Sequence, residues 1–498
     1  MSRKQSIFYS AILLTCVNLL LRMVGTSFQV YLSGTIGAEG VGLLQLVLSV
    51  GSMAMVAGMA GIRTATMYLT AEELGKKRPG NIKWVLSGCT SYSMIASCSV
   101  ALIVYFGAPF IAAHWIGQPR IVDAVRLFAA FLPVNCLCGV MVGYFTGSNR
   151  IKTLAAVEIA EQFCSMCCTV LLLKFWAHGD AVRSCLAVVV GTGLGSCVTL
   201  LCLLFLRLRA HNAHSPAIPM GKALRRTALP LALADNLRTG ISTVENLMVP
   251  KRLALYHGTQ TPLAAFGTIC GMVFPILTFP MALLFGLTEL LIPELARCNA
   301  AGSKTRIRYL VKRGLRVGLL FGSLCAMILY LIAEPLCLKL YQSAEAGKYL
   351  KWFAPLAVML YCDAVTDAMI KGLGQQRASV QYNICTNTMD VIFLYLLLPR
   401  YGIFGYFVSF TVTHLINFIL SIRRLLKITG VLVDVGEVIL TLLAAGLSVI
   451  LCRHIHAPLW ETVIAVVVLL CLMTVFGILS AKDVRWIAKL IRNKNRPA

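Results

Sequence analysis

Apolar runs separated by short polar segments recur along all 498 residues of the chain. Each run has about 20 residues, the length that an α-helix needs to cross the hydrocarbon core of a bilayer. No stretch between the runs is long and polar enough to fold as a separate soluble domain. The pattern predicts an all-α membrane protein with fourteen spanning helices, at approximately 8–32, 41–69, 83–107, 123–147, 152–177, 182–207, 227–256, 264–290, 309–333, 349–371, 379–398, 403–425, 433–455 and 458–480.

The positions of the basic residues test this helix count independently, because one missed helix would exchange the two sides of every later loop. Most of the 45 Lys and Arg residues fall on one side of the predicted bundle, including those in 207–226, in 297–316 and in the tail 481–498. Cytoplasmic loops of membrane proteins carry such an excess. We therefore expect a plasma-membrane protein with both termini in the cytoplasm.

The predicted helices fall into two halves. The basic segment 211–226 separates an N-terminal six-helix lobe, 1–210, from a C-terminal six-helix lobe, 227–428. Each half opens with a long helix pair that carries intramembrane charge, which suggests a parallel repeat, with a pseudo-two-fold axis along the membrane normal and a cavity between the lobes. Two further helices, 429–480, and the basic cytoplasmic tail, 481–498, complete the predicted organisation.

Composition supports the membrane class, since 58% of the residues are hydrophobic and 13% are charged. A soluble domain has about a quarter charged residues. The net charge of +25 lies mostly in loops, and no basic helix is interleaved with exposed aromatic residues, so we expect no nucleic-acid partner. Most of the 19 cysteines sit inside apolar runs, which favours a packing role.

Short motifs for enzyme chemistry are incomplete. Cys164-x-x-Cys167 and His211-x-x-His214 lack the other residues that a redox or metal site needs. No phosphate-binding G-x-x-x-x-G-K-[ST] motif is present. We therefore expect no enzyme activity, no bound metal and no cofactor, apart from a Na⁺ or H⁺ that could couple transport.

Arginines inside the predicted spans are the first candidates for a binding site, because intramembrane charges usually face a bundle interior or a water-filled cavity. Asn18, Arg22 and Gln29 share one face of the first helix, with Arg22 near mid-span. Arg63 lies nearer the cytoplasmic end of the second. Each arginine fits two interpretations, an anion-binding site or a structural role, the latter as an ion pair for Arg22 and as a side chain reaching the surface for Arg63.

The seventh predicted helix carries a charged ridge. Asp235, Arg238, Ser242 and Glu245 are spaced three, four and three residues apart, so they share one face. Asp235 and Arg238 can form an ion pair within the helix, whereas Glu245 has no cation one turn away. We expect Glu245 to be protonated, paired with another helix or bound to an ion.

Carboxylates also cluster on later helices. Asp363 and Asp367 stand one turn apart on the tenth predicted helix. Their charges repel each other at this distance, so either one of them binds a proton or a cation lies between them. The residue pattern of the helix assigns a cation to neither of them. Oxygen ligands of this kind suit Na⁺ or H⁺ coupling, and a buried hydrogen-bond network is the alternative. Further candidates of the same kind are Asn383, Asn387 and Asp390 on the eleventh helix and Glu158 and Glu161 on the fifth.

Several short motifs carry a family resemblance. They are Gly37-Ala-Glu-Gly40-x-Gly42-Leu-x-Gln45, Ala60-Gly-Ile-Arg63, the segment 241–253, Leu291-Ile-Pro-Glu294, Lys371-Gly-Leu-Gly374 and Leu398-Pro-x-x-Gly-Ile-x-Gly405. With Arg22 they make the chain similar, over nearly its whole length, to the stage V sporulation protein B branch of the multidrug/oligosaccharidyl-lipid/polysaccharide flippase superfamily. Relatives in this superfamily include the lipid II flippase.

The resemblance implies two six-helix lobes around a cationic cavity, two added C-terminal helices, and transport of undecaprenyl-pyrophosphate-linked sugars such as lipid II. It implies that Arg22 and Arg63 bind the pyrophosphate. An arginine that relatives carry on the eighth helix has no match here, and Arg238 on the seventh is its candidate substitute. Glu245 falls where some relatives carry a cation-binding carboxylate. The implied partners are the lipid-linked substrate and membrane lipids, with the chain as a monomer.

Two other functions compete with this one. A cation-coupled multidrug exporter of the same superfamily would present acids and aromatic residues to a cationic drug, which the arginines disfavour. A membrane glycosyltransferase or ligase would need a large outward loop with catalytic acids or histidines, and the predicted outward loops are too short. We therefore predict a flippase that works by alternating access and is driven by an ion gradient.

Overall fold

The computed structural model describes residues 3–76, 78–177, 179–208, 221–258, 261–452 and 458–478. This part of the chain is 92% helical and contains no strand. Nine of its helical segments are long and apolar enough to cross a membrane. The predicted linker residues 209–220 and most of the predicted tail lie outside the described residues. The chain is therefore an all-α, multi-pass membrane protein, as the apolar runs predict.

Two of the continuous helices in the described part of the chain each contain two predicted spans. Helix α1 runs from Arg3 to Met59 across a kink at Gly37, whose φ is 77°. The later helix Gln376–Thr429 is kinked in the same way at Gly402, whose φ is 58°. Both residues have positive φ, which glycine adopts without steric strain. The predicted pairs 8–32 with 41–69 and 379–398 with 403–425 are thus confirmed as helical segments joined by a kink.

The second predicted helix, 41–69, is wrong in one respect. The chain leaves the helix at Ala60 and Gly61, whose φ values are 43° and 72°, and a new helix begins at Ile62. The left-handed backbone of these two residues cannot continue a right-handed helix. Arg63 therefore lies in the first turn of a separate helix, α2, instead of within the continuous helix 41–69.

The eighth predicted helix, 264–290, is interrupted. It consists of short helices and a π-helical turn between Pro262 and Thr278, followed by a new helix from Met281. Pro275 and Pro280 lie in this stretch. Because proline has no amide hydrogen and clashes with the preceding turn, it breaks the regular ladder. The predicted continuous helix 264–290 is therefore interrupted at its prolines.

The described helices fall into two compact units. The first comprises residues 1–272 and 387–409, and its complete helices are α1 (Arg3–Met59), α2 (Ile62–Gly75), α3 (Ile82–Phe110), α4 (Val122–Gly147), α5 (Ile151–Leu172), α6 (Ala181–Leu208), α7 (Gly221–Leu253) and α8 (Pro262–Thr268). The second comprises 273–386 and 410–498, with α9 (Phe274–Thr278), α10 (Met281–Ala300), α11 (Lys304–Tyr341), α12 (Ala344–Phe353), α13 (Ala357–Gly372), α15 (Val435–Cys452) and α16 (Pro458–Val475). Helix α14 (Gln376–Thr429) contributes to both. The division into lobes 1–210 and 227–428 remains a prediction.

Within the first unit, α1 and α8 meet backbone to backbone. A Cβ atom on Gly267 would lie 2.0 Å from the carbonyl oxygen of Ala38, and one on Gly42 would lie 2.3 Å from that of Leu263. Below this contact the Ser33 hydroxyl donates to the Gly271 carbonyl at 3.0 Å. Small residues allow such close approach between membrane helices. Gly42 belongs to one of the motifs that carry the family resemblance, and its physical role is to permit this close approach of α1 and α8.

Substituting Gly267 by alanine is expected to destabilise the folded protein by about 1 to 3 kcal/mol, since the new methyl group must displace helix backbone. The matched control is Gly446→Ala in α15, where an added Cβ meets nothing within 4 Å. Thermal unfolding of the two purified variants in detergent measures the difference. Equal melting temperatures would contradict the close α1 to α8 contact.

Candidate functional site

Arg63 is positioned by the packing of α2 on α4. A Cβ atom on Gly143 would lie 2.4 Å from the Arg63 carbonyl oxygen, so only glycine at 143 lets α2 lie this close. The Arg63 side chain is exposed. It interacts electrostatically with Glu158 of α5, but no direct ion pair joins the two side chains in the described part of the chain. Among the described residues its guanidinium is therefore available to an anion, and its exposure also agrees with the alternative of a side chain that reaches the surface.

The first predicted face is described only in part. The side chains of Asn18 and Arg22 lie outside the described residues, although the backbone of both belongs to α1. Gln29 is half-buried, and its Nε2 atom is buried without a hydrogen-bond partner. An unpaired buried amide donor is costly and is often satisfied by a ligand or water. The assignment of Asn18, Arg22 and Gln29 to substrate binding remains a prediction.

The two opposite charges in the ridge of α7, Asp235 and Arg238, are not paired with each other. Asp235 and Arg238 are both exposed, and no ion pair between them occurs among the described side chains. Further along α7, Thr243 donates to the Ser49 carbonyl at 3.1 Å and Asn246 donates to the Ser49 hydroxyl at 3.0 Å. These bonds fix the rotation of α7 against α1. The pairing of Asp235 with Arg238 that the helix spacing allows is therefore not formed in this conformation, and Arg238 has no ion pair among the described residues.

Glu245 has an acidic neighbour on another helix of the same unit. Its carboxyl group lies near that of Asp390 on α14, close enough for the two groups to interact electrostatically. Asp390 is only 6% exposed, and the Ser409 hydroxyl donates to its Oδ1 at 2.5 Å. Tyr406, also buried, is hydrogen-bonded to Cys270 beside the two acids. The expectation that Glu245 is protonated, paired with another helix or bound to an ion stays a prediction, and Asp390 is the neighbour that bears on it.

The proximity of Glu245 and Asp390 limits their charge states. An ionised carboxylate only accepts hydrogen bonds, so a direct bond between the two carboxyl groups would require a proton on one of them. Two buried like charges in contact repel strongly. The arrangement is therefore suited to a shared proton or cation. The sequence puts Asp390 on a polar face with Asn387. It does not indicate that this face lies near Glu245, because Asp390 and Glu245 are 145 positions apart. Asn387 itself is half-buried.

A second acidic position lies in the other unit. Asp363 accepts a hydrogen bond at Oδ2 from the Asn417 amide at 3.0 Å. Its Oδ1 atom and the Oδ1 atom of Asn417 are both buried without a hydrogen-bond partner among the described residues. Two orphaned oxygens next to each other are acceptors that a proton or a hard cation could satisfy. Asn417 is a residue that sequence reasoning missed, since it stands alone in an apolar run.

Asp367 differs from Asp363. It forms an ion pair with Lys371, one turn further along α13, at 2.5 Å, and the Ser379 hydroxyl donates to it. The expectation that Asp367 lacks a cation on its own helix is therefore wrong. The reason is the i, i+4 geometry itself, which brings Lys371 as close to Asp367 as Asp363 is. Only Asp363 of this predicted pair lacks a neutralising cation in direct contact.

These features define a class of protein. The chain crosses a membrane many times, and its spanning helices carry exposed arginines and buried carboxyl groups. Ionisable residues at membrane depth are typical of solute and ion pathways. The fold and the site together are those of a membrane transporter.

Comparison with known proteins points to one superfamily. The model for "Polysaccharide biosynthesis protein" matches residues 7–236, and the MatE model matches residues 230–396. Stage V sporulation protein B of Bacillus subtilis (strain 168) is 22% identical over 417 residues, which cover 81% of this chain and 80% of the relative. Sporulation protein YkvU of the same organism is 19% identical, covering 74% and 82%. These matches make the chain similar, over most of its length, to the multidrug/oligosaccharidyl-lipid/polysaccharide flippase superfamily, whose members are transporters.

Solved structures agree with this fold. The lipid II flippase MurJ in an inward closed conformation aligns with a TM-score of 0.69 at 12% identity, over 93% of this chain and 98% of that one. An inward-facing multidrug resistance transporter of the MATE family aligns with a TM-score of 0.59 at 16% identity, over 82% and 98%. At these identities the likeness concerns the fold alone. Flippases and drug transporters share it, so the substrate must be argued from the side chains.

Proposed function

We propose that this protein moves an undecaprenyl-pyrophosphate-linked sugar, such as lipid II or a related oligosaccharide, across the cell membrane by alternating access. The observation that carries the proposal is the availability of Arg63 and Arg238, neither of which forms an ion pair among the described residues. The names of its relatives, a polysaccharide biosynthesis family and a lipid II flippase, support the same substrate class. The proposal includes a cytoplasmic position for both termini, which the distribution of basic residues supports.

The chemistry of the substrate requires such residues. A pyrophosphate cannot enter hydrocarbon with its charge unpaired, because burying an isolated ion costs several kcal/mol or more. An arginine guanidinium binds phosphate oxygens through two parallel hydrogen bonds. Arg63 and Arg238, with Arg22 as the sequence predicts, would compensate the head group while the polyprenyl chain stays in lipid. Reorientation of the helices then exposes the head group to the other side.

Ion coupling is assigned to the acids. The neighbouring carboxyl groups of Glu245 and Asp390 would share a proton, and Na⁺ could take the place of that proton between the two carboxylates. Asp363 with Asn417 is a second candidate position. Binding and release of the ion would change the charge of the pair, and with it the packing of α7 against α14. This provides the link between an ion gradient and the conformational cycle.

The competing function is export of cationic drugs, which is favoured by the acids that stand without direct ion pairs, Asp235 and Glu158. A cationic substrate would bind to these acids, and the exposed arginines would repel it. The two functions therefore differ in the sign of the substrate charge. Testing substrates of opposite charge distinguishes them.

We expect the gene to restore growth of bacterial cells depleted of their lipid II flippase. Purified protein in liposomes should flip a fluorescent polyprenyl-pyrophosphate saccharide and should leave efflux of a cationic dye unchanged. Empty liposomes and the Arg63→Ala variant are the controls. Dye efflux without flipping of the saccharide would overturn the proposal in favour of the exporter.

A further inference from the structure

The second unit encloses an apolar cavity that the proposed transport route does not use. Its volume is about 520 Å³, and it is formed by α11, α13, α14, α15 and the connection between α14 and α15. Leu319, Met359, Phe418 and Leu442 are typical of its lining, which is almost entirely aliphatic and aromatic. Small-molecule sites commonly have volumes of about 300 to 1,000 Å³. An apolar cavity of this size in a membrane protein is suited to a hydrocarbon chain.

Charged residues occur only at one end of this lining: Lys312, Arg316, Asp434 and Glu437. Three of them have partners. Arg316 forms an ion pair with Glu437 at 2.8 Å, and Asp434 caps the first turn of α15 by accepting from the Glu437 amide at 3.3 Å. A carboxylate at this place is also stabilised by the helix dipole.

Lys312 is the exception. It has no hydrogen bond or ion pair among the described residues. One turn earlier on α11, Arg308 is already used, since it donates to the Thr429 carbonyl at 3.1 Å where α14 ends. The mouth of the cavity therefore presents one ammonium group whose charge is not compensated. An anionic group is its natural complement.

The connection between α14 and α15 points to lipid at the same place. Leu432 is 89% exposed and Val433 is 37% exposed, although both are apolar residues that line the cavity; Val435, the next apolar residue, is 64% exposed. Such a patch is unfavourable in water and favourable against acyl chains. The nearby basic segments 297–316 and 423–427 are on the side predicted to be cytoplasmic, where anionic lipids attract Lys and Arg.

We infer that this cavity is a binding site for an anionic phospholipid of the cytoplasmic leaflet, with an acyl chain among Leu319, Met359 and Phe418 and the phosphate on Lys312. A zwitterionic lipid fits less well because its own ammonium group competes with Lys312 for the phosphate. The site goes beyond the proposed transport activity, since it uses none of the residues assigned to the substrate or the coupling ion.

The test uses full-length protein in lipid nanodiscs and phosphatidylglycerol with a photoreactive diazirine on its acyl chain. Mass spectrometry should locate the label on peptides that contain Met359 or Leu432, and matched diazirine phosphatidylcholine should label them much less. Lys312→Gln should lower labelling by phosphatidylglycerol about tenfold, the effect of losing one hydrogen bond to a charged group. Arg313→Gln is the matched control, since this neighbour bonds to Tyr309 at 3.0 Å and does not line the cavity.

A second variant guards against misfolding. Leu319→Trp fills the cavity but keeps Lys312, and it should abolish labelling while the protein remains monodisperse in detergent. Equal labelling by the two lipids, or equal losses in Lys312→Gln and Arg313→Gln, would overturn the inference. Displacement of the label by a polyprenyl pyrophosphate would also overturn it, because the cavity would then hold the substrate tail.

Discussion

Replacing Arg63 by alanine is expected to reduce flipping of a pyrophosphate-linked saccharide by a hundredfold or more, while the protein still inserts into the membrane. The physical reason is that removing one partner of a desolvated charge pair costs about 3 to 5 kcal/mol. Arg63→Lys should recover only part of the activity, because an ammonium group is a point charge and cannot form the parallel bonds of a guanidinium. The rate of flipping in liposomes measures both effects.

The matched control for this experiment is Arg183→Ala. Arg183 is also exposed, but it interacts with Asp180 at 3.9 Å near the start of α6, and surface pairs of this kind contribute little. We expect Arg183→Ala to flip the substrate at the normal rate. Normal flipping by Arg63→Ala would show that the pyrophosphate binds elsewhere. The same comparison applies to Arg22→Ala, for which the sequence predicts a similar loss.

Removing the acidic pair is expected to uncouple transport from its gradient. Glu245→Gln and Asp390→Asn each keep the size of the side chain and remove one ionisable group, so the pair can no longer exchange a proton or Na⁺ as a unit. Flipping should then become insensitive to an imposed H⁺ or Na⁺ gradient, whereas the affinity for the lipid head group should change little, since the arginines remain. Flipping in liposomes with and without each gradient is the measurement.

The control for the acidic pair is Glu334→Gln. Glu334 is exposed and pairs with Lys351 at 3.1 Å, away from the acids of α7 and α14. Its loss should leave gradient dependence unchanged. A purely structural role for Glu245 and Asp390 predicts the reverse pattern, with less folded protein but normal coupling in the fraction that remains. Asp363→Asn, measured in the same way, reports whether the second acidic position takes part.

Much of the fold was accessible from the sequence because its cause is local. A run of apolar residues long enough to span the bilayer becomes a helix, since every backbone amide must be satisfied within the segment. The bend at Pro275 and Pro280 was predictable for the same reason, because proline interrupts the ladder wherever it occurs. The break at Ala60 and Gly61 was missed, because the mean hydropathy of a window does not register two residues of left-handed backbone.

The candidate site, too, could be predicted from the sequence only in part. Its residue types could be found from the sequence, since Arg63, Arg238, Glu245 and Asp363 are charges in apolar runs, and such charges are costly enough to need a purpose. Spacing along one helix, however, could not decide between the partners available to each acid. It allowed Asp235 to pair with Arg238, which the structure does not show, and overlooked the bond between Asp367 and Lys371.

The sequence by itself therefore determined the class, the spanning helices and which side chains are charged at membrane depth. Only the tertiary structure decided which of these charges are compensated. It brings Glu245 close to Asp390 of a distant helix and leaves Arg63 and Lys312 without direct partners. The physical reason is that hydropathy is a property of each segment, whereas the pairing of an ion depends on the neighbours that helix packing brings within a few ångströms.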